Sequence, residues 1–147
     1  MKHTIYTIGH SNRTLEDLIT ILSKYGVKIL VDIRRFPTSR KYPWFKRDQL
    51  EHTLKVNGIK YIWMGEDLGG YREGGYKEYM ASSRYLEGIN KLIDISRKDI
   101  TAIMCSEKLW FRCHRRFISD TLVSQGLTVI HIIEVDKTYT HRKPVDI

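Results

Sequence analysis

The stretch Thr14-Leu-Glu-Asp-Leu-Ile-Thr-Ile-Leu-Ser-Lys-Tyr-Gly-Val-Lys-Ile-Leu-Val-Asp-Ile33 decides the fold. Leu15, Leu18, Ile19 and Leu22 recur at the spacing that lines one face of a helix with apolar side chains. Thr14, with Asp17 three residues on, forms a capping-box-like start in which Asp stands where Glu or Gln is usual. Gly26 supplies the stop, because glycine adopts the left-handed backbone that ends a helix at least cost. Residues 27–33 then run apolar and rich in β-branched side chains, as in a strand covered on both faces, and Asp32 leads into Arg34 and Arg35. A helix, a tight turn and a doubly buried strand make up the repeating unit of a parallel α/β sheet.

The same unit recurs on both sides. Residues 5–8 form an apolar run that ends at Gly9-His10-Ser11. Residues 46–56 predict a helix stopped by Asn57-Gly58, and 59–64 a third strand. Residues 76–97 have helical spacing with a break near Ser82-Ser83, and 100–104 predict a fourth strand ending at Cys105-Ser-Glu107. Residues 113–124 predict a helix before Gly126, and 127–133 a fifth strand that ends at Glu134 and Asp136. The segment with Pro37 and Pro43 and the glycine-rich run 68–75 are loops. This alternation predicts a single three-layer α/β domain over 1–147, with a mainly parallel five-stranded sheet, helices on its faces and right-handed crossovers. A short basic tail is expected from about residue 138, with His141-Arg142-Lys143.

A chain of 147 residues fits one domain. With 41% hydrophobic and 29% charged residues, the composition excludes a disordered, collagen-like or purely coiled-coil chain. No apolar run approaches the ~20 residues of a membrane span. The opening Met1-Lys2-His3-Thr4-Ile5-Tyr6 lacks the apolar core of a secretory signal. With only Cys105 and Cys113 as thiols, a reduced, cytoplasmic setting is expected. Lys and Arg number 25 against 17 Asp and Glu, a net charge of +8. Such a surface attracts an anionic small molecule or nucleic acid, although basic residues spread along a chain also fit an ordinary solvated surface.

Open parallel sheets bind ligands at the carboxyl ends of their strands. The strand ends here carry His, Asp, Arg, Cys and Glu. Cys105 is read as a nucleophile near Arg112, Arg115 and Arg116, or else as a small buried hydrophobe. His10 offers a general base beside Ser11, and Asp32 a base, metal ligand or orienter of arginine; Glu107 completes the candidate catalytic set. Cys113-His114-Arg115-Arg116 opens a helix whose backbone N–H groups and guanidinium groups favour an anion. Arg34, Ser39 and Ser11 are candidate anion contacts, and Gly69 and Gly70 allow a ligand to approach backbone or simply permit a turn. A metal site built from Cys105, Cys113 and His114, completed by Glu107, His10 or Asp32, is an alternative, although the usual closely paired cysteine spacing is absent. The glycine loop lacks the Walker and dinucleotide patterns, so the sequence names no cofactor. Aromatics such as Tyr42, Trp44, Tyr71 and Tyr76 near basic loops suit stacking on nucleobases, or pack those loops.

Thr7-Ile-Gly-His10-Ser11, Asp32-Ile-Arg34 with Pro37 and Ser39-Arg40, Leu68-Gly69-Gly70, and Cys105 with Glu107 and Cys113-His114-Arg115 resemble, in order and spacing, the family called domain of unknown function 488. The resemblance runs from about Ile5 to Asp136 and departs from the family pattern only at Ile33 and Arg35. It implies a single-domain prokaryotic protein and implies no particular reaction. The residues themselves suggest an enzyme that acts on a nucleotide or nucleic-acid component by Cys or carboxylate chemistry, with arginine binding the anion. A non-catalytic nucleic-acid-binding module and a metal-binding domain are the alternatives.

Overall fold

The computed structural model describes residues 3–142, so residues 143–147 of the expected tail lie outside the described residues. In chain order the elements are β1 (Thr4–Gly9), α1 (Leu15–Lys24), β2 (Ile29–Asp32), α2 (Arg47–Val56), β3 (Lys60–Trp63), α3 (Gly65–Leu68), α4 (Tyr76–Tyr79), α5 (Ser83–Lys98), β4 (Thr101–Cys105), α6 (Arg115–Ser124), β5 (Thr128–Glu134) and β6 (Lys137–Thr140). Single 3-10 turns lie at Pro43–Phe45 and Trp110–Arg112. Thr14 caps α1, its hydroxyl accepting the Asp17 N–H at 3.0 Å. Ser82 caps α5 in the same way, accepting the Tyr85 N–H at 3.2 Å, and so splits the helical run at the predicted break.

The sheet order is β3-β2-β4-β1-β5-β6. The first five strands are parallel, and β6 pairs antiparallel with β5. The α/β class is therefore as expected, with six strands where the apolar runs predict five. The sixth occupies the start of the expected tail. All four of its residues, Lys137-Thr-Tyr-Thr140, are exposed. It therefore has no apolar run to mark it, only the strand preference of Thr and Tyr.

The connections from β1 to β2 and from β2 to β3 step one way across the sheet; those from β3 to β4 and from β4 to β5 step back. Right-handed crossovers then put α1 and α2 on one face and α5 and α6 on the other. The two cores follow this division. Leu18 and Leu22 of α1 and Leu50 and Leu54 of α2 pack with Leu30, Met104 and Ile132. Ile89 and Leu92 of α5 and Ile118 and Leu122 of α6 pack with Val31, Ile103, Cys105 and Val129. Alternate strand residues serve opposite cores, as the period of two requires. Each such Leu or Ile contributes about 1.5–3 kcal/mol on burial. Among the described residues no helix is long and apolar enough to cross a membrane.

β1 and β4 are neighbours whose chains leave toward opposite faces, which opens a crevice at their carboxyl ends. Gly9 pairs there in register with Cys105. The loop after β4 folds back so closely that a Cβ at Gly9 would lie 1.7 Å from the Glu107 carbonyl oxygen.

Candidate active site

The two cysteines meet in this crevice. Cys105 ends β4 on the α6 side of the sheet; the chain loops through residues 106–112 and returns at Cys113, just before α6. The two Sγ atoms are 2.8 Å apart and both cysteines are free. Cys105 is 2% exposed and belongs to the core, whereas Cys113 is half-buried. Burial pushes the Cys105 thiol well above its usual range. Burial also acts to raise Cys113, but hydrogen bonds from Cys105 and His114 and the charge of Arg115 outweigh it and hold this thiol well below the ordinary value. The Arg115 N–H, at the start of α6, donates to Cys113 Sγ at 3.2 Å, adding the positive end of the helix. Burial thus acts against ionisation of Cys105, while the contacts of the more exposed Cys113 favour its thiolate form.

Arg115, expected as an anion contact, is held inside the protein. It is fully buried and, among the described residues, lines neither of the two clefts that flank the loop after β4. Its Nη2 donates to the Glu107 and Lys108 carbonyls at 2.8 and 3.1 Å, pinning the loop after β4. Its Nη1 donates to Thr7 Oγ1 at 3.4 Å. Its Nε is buried without a hydrogen-bond partner. From Thr7 a chain continues through His131 Nδ1 at 2.5 Å, His131 Nε2 to His141 Nδ1 at 2.9 Å, and His141 Nε2 to Asp120 Oδ1 at 2.6 Å. One donor order satisfies every link: Thr7 O–H to His131, His131 Nε2–H to His141, and His141 Nε2–H to Asp120. Burial, then Arg115, then His141 lower the His131 pKa to about 2, which keeps that ring neutral in the chain. The Trp110 ring stacks on His131 with centroids 4.7 Å apart. Sequence reasoning missed this network; its one signal is a histidine inside an apolar strand.

On the other face Asp32 holds Arg34. Asp32 Oδ1 accepts the Arg34 backbone N–H at 3.1 Å and Nε at 2.9 Å; Oδ2 accepts Nη2 at 2.8 Å and the Tyr61 hydroxyl at 2.5 Å. With both oxygens taken, Asp32 is an orienter of arginine rather than a base. Arg34 Nη1 reaches His10 Nε2 at 3.4 Å. The His10 ring stacks on Phe45 at 4.2 Å, and Nδ1–H donates to the Ser11 carbonyl at 2.9 Å. Burial lowers its pKa to about 4, so the ring is neutral.

The loop 106–112 separates two clefts, each of about 680 Å³. The first holds Cys105, Cys113, His114, Arg34 and Gly70, and the second His10, Ser11 and Ser39; Ser106, Glu107 and Arg112 border both. His114 Nε2–H donates to the Ile33 carbonyl at 3.0 Å, and its ring packs beside Gly70, where a Cβ would come within 3.2 Å of it. Gly69 lines neither cleft; a Cβ there would lie 2.2 Å from the Gly65 oxygen, so this glycine serves packing. Ser39 accepts the Tyr42 N–H at 3.0 Å and shapes its own loop, and Ser11 donates its N–H to the Ser106 carbonyl at 2.9 Å with φ at 48°. The candidate residues therefore divide between two neighbouring clefts instead of converging on one point. Arg35 and Arg116 with Phe36, Tyr71 and Phe111 complete the thiol cleft; Arg35, Arg116 and Tyr71 are singled out by the sequence, Phe36 and Phe111 are not. Phe36, Tyr71 and Phe111 are 62%, 86% and 47% exposed, an unusual share of apolar ring left in water. Aromatic and basic residues alternating through the loops are the sequence signal for them. Among the described residues no group of three or more His, Cys, Asp and Glu side chains is arranged to hold a metal ion, so the metal alternative finds no ligand set there.

A search of curated proteins returns no match, and neither does a search of solved structures. A family model described as "Domain of unknown function DUF488" matches residues 14–122, which span the crevice from α1 through Asp32, the glycine loop and both cysteines to α6. The chain therefore belongs to the DUF488 family.

Proposed function

We propose that this protein is an enzyme that carries out thiol chemistry on an anionic, ring-bearing ligand of the nucleotide class. The observation that carries the reading is Cys113: a half-buried thiol at the start of α6, hydrogen-bonded by the Arg115 N–H at 3.2 Å and opening onto an arginine-lined cleft. A thiolate held by a helix terminus and a nearby cation is the nucleophilic form of cysteine. Arg34, fixed by Asp32, and Arg35, Arg112 and Arg116 around the cleft suit phosphate oxygens. Phe36, Tyr71 and Phe111 offer faces for a base. The volume of about 680 Å³ accommodates a ligand of that size. The reaction class is displacement. The Cys113 sulfur bonds to an electrophilic centre of the ligand as the leaving group departs with the bonding electrons. A reducing cytoplasm is the setting this reading assigns, because a free dithiol persists there.

The test is alkylation of native protein by iodoacetamide across pH, read by peptide mass, with and without adenosine and guanosine mono- and triphosphates. Cys113 is expected to react fast at neutral pH, to titrate well below the free-thiol value of about 8.5, and to be protected by nucleotide. An ordinary titration with no protection by any of them refutes the reading. The same arginines and rings also favour a second reading, single-stranded nucleic-acid binding without chemistry. In that case oligonucleotide affinity falls steeply with salt while Cys113 shows ordinary reactivity.

A further inference from the structure

We propose that Cys113 is a site of oxidation by hydroperoxides and that Cys105 resolves it into an intramolecular disulfide, a modification that removes the nucleophile from the cleft. The inference rests on the reading of Cys113 as that nucleophile, and it concerns how the site is regulated.

The geometry points this way first. The two sulfurs lie 2.8 Å apart, so they need to close by less than 1 Å to reach the disulfide length of about 2.05 Å. They differ sharply in access. Cys113 is half-buried, whereas Cys105 is 2% exposed, and no other cysteine exists in the chain. An oxidant entering from solvent therefore meets Cys113 before Cys105. Arginines around the cleft also attract anionic peroxides.

The steps balance. The Cys113 thiolate attacks the O–O bond of a hydroperoxide ROOH. A sulfur–oxygen bond forms, the O–O bond breaks, the alkoxide takes a proton to become ROH, and Cys113 is left as the sulfenic acid. The Cys105 sulfur then attacks the Cys113 sulfur. The sulfur–sulfur bond forms, the sulfenic oxygen leaves with the Cys105 proton as water, and two thiols have been oxidised by one peroxide. A buried resolving thiol in contact protects the first cysteine from irreversible oxidation to the sulfinic acid.

Arg115 makes the change reversible. Its side-chain acceptors are all neutral, the Thr7 hydroxyl and the carbonyls of Glu107 and Lys108, and its Nε has none. A Cys113 thiolate accepts the Arg115 N–H at 3.2 Å and is favoured by the Arg115 charge, and oxidation removes that interaction. A dithiol whose reduced form is stabilised in this way has a disulfide that is easily reduced. A cellular dithiol reductant then restores the nucleophile.

The test treats reduced protein with hydrogen peroxide and maps peptides without reduction. One cross-link within the chain, Cys105 to Cys113, is expected, with the mass lower by two hydrogens, alkylation of Cys113 abolished, and two free thiols restored by dithiothreitol. In Cys105→Ser, dimedone is expected to trap the sulfenic acid on Cys113. In Cys113→Ser, Cys105 is expected to oxidise more than about tenfold more slowly than Cys113 does in Cys105→Ser. The wild-type thiol count and peptide map need no variant, so a variant that fails to fold leaves the proposal testable. The proposal is overturned if wild type keeps both thiols, forms only links between chains, or accumulates sulfinic acid on Cys113 without a cross-link. Nucleotide protection of Cys113 in untreated protein is read separately. Protection without a cross-link sinks the switch alone, and a cross-link without protection sinks the nucleotide reading alone.

Discussion

Replacing Asp32 by Asn is expected to cost the fold about 3–5 kcal/mol, the range for breaking one side of a buried ion pair. Asp32 is 0% and Arg34 5% exposed, so water screens neither group. The native carboxylate accepts four hydrogen bonds: three from Arg34 and one from Tyr61. Asn fills the same space but removes the charge and turns an amide N–H₂ toward groups that are all donors. The guanidinium is left buried without a counter-charge. In a domain of this size each kcal/mol moves Tm by about 2–4 °C, so a fall of roughly 6–20 °C is expected. Urea denaturation with an unchanged m value would assign the loss to stability rather than to altered compactness. The double variant Asp32→Leu with Arg34→Met removes both charges, and with them the penalty of the unpaired guanidinium. It leaves the Tyr61 hydroxyl and the Arg34 N–H without a partner, at about 1–3 kcal/mol each. A Tm drop under about 2 °C for Asp32→Asn would refute the account of this pair. The double variant also isolates the binding role. It should fold while losing most of the nucleotide protection at Cys113, since Arg34 borders that cleft.

Two further outcomes follow from the same site. The folded pKa of His10 is about 4 and that of His131 about 2, against 6.5 for each in the unfolded chain. Unfolded histidines therefore bind protons below pH 6.5 while the folded ones stay neutral. The contribution of His10, on the order of 3 kcal/mol, is fully present above pH 6.5 and is lost as pH falls toward 4. Tm measured from pH 7.5 to 5 should fall with pH and fall less in His10→Asn; a flat wild-type profile counts against both buried rings. Gly9→Ala places a Cβ 1.7 Å from the Glu107 oxygen, so the loop held by Arg115 has to move. Overpacking of this kind costs about 1–3 kcal/mol, and the displaced loop should slow alkylation of Cys113. Normal stability together with normal reactivity would mean that the close approach of β1 to this loop is unimportant.

That clefts open at the strand ends, where the candidate residues gather, was legible because it follows from connectivity alone. Helix spacing through Leu15, Leu18 and Leu22, the Gly26 stop and the apolar run to Asp32 fix a parallel unit, and parallel units put the carboxyl ends on one edge. The pairing of Asp32 with Arg34 was legible for a similar reason, since two residues apart at a strand end is a local distance. The break at Ser82 was legible through its capping chemistry. β6 was hidden because an exposed edge strand needs no apolar run.

What only the tertiary structure decided is which thiol meets solvent and what surrounds it. Strand alternation sends Cys105 into the core beneath α6, but sequence cannot say that a loop of seven residues brings Cys113 back to within 2.8 Å of it. The ionisation of each thiol responds first to burial and to the other sulfur, and then to Arg115, whose place depends on carbonyls in that loop and on Thr7, 108 residues away. The Thr7–His131–His141–Asp120 chain joins residues from β1, β5, the end of β6 and α6. Sequence periodicity reports local backbone geometry and the face each side chain takes. Burial of a charge and contact between sulfurs are set by packing between elements far apart in the chain, and these decide the chemistry of the site.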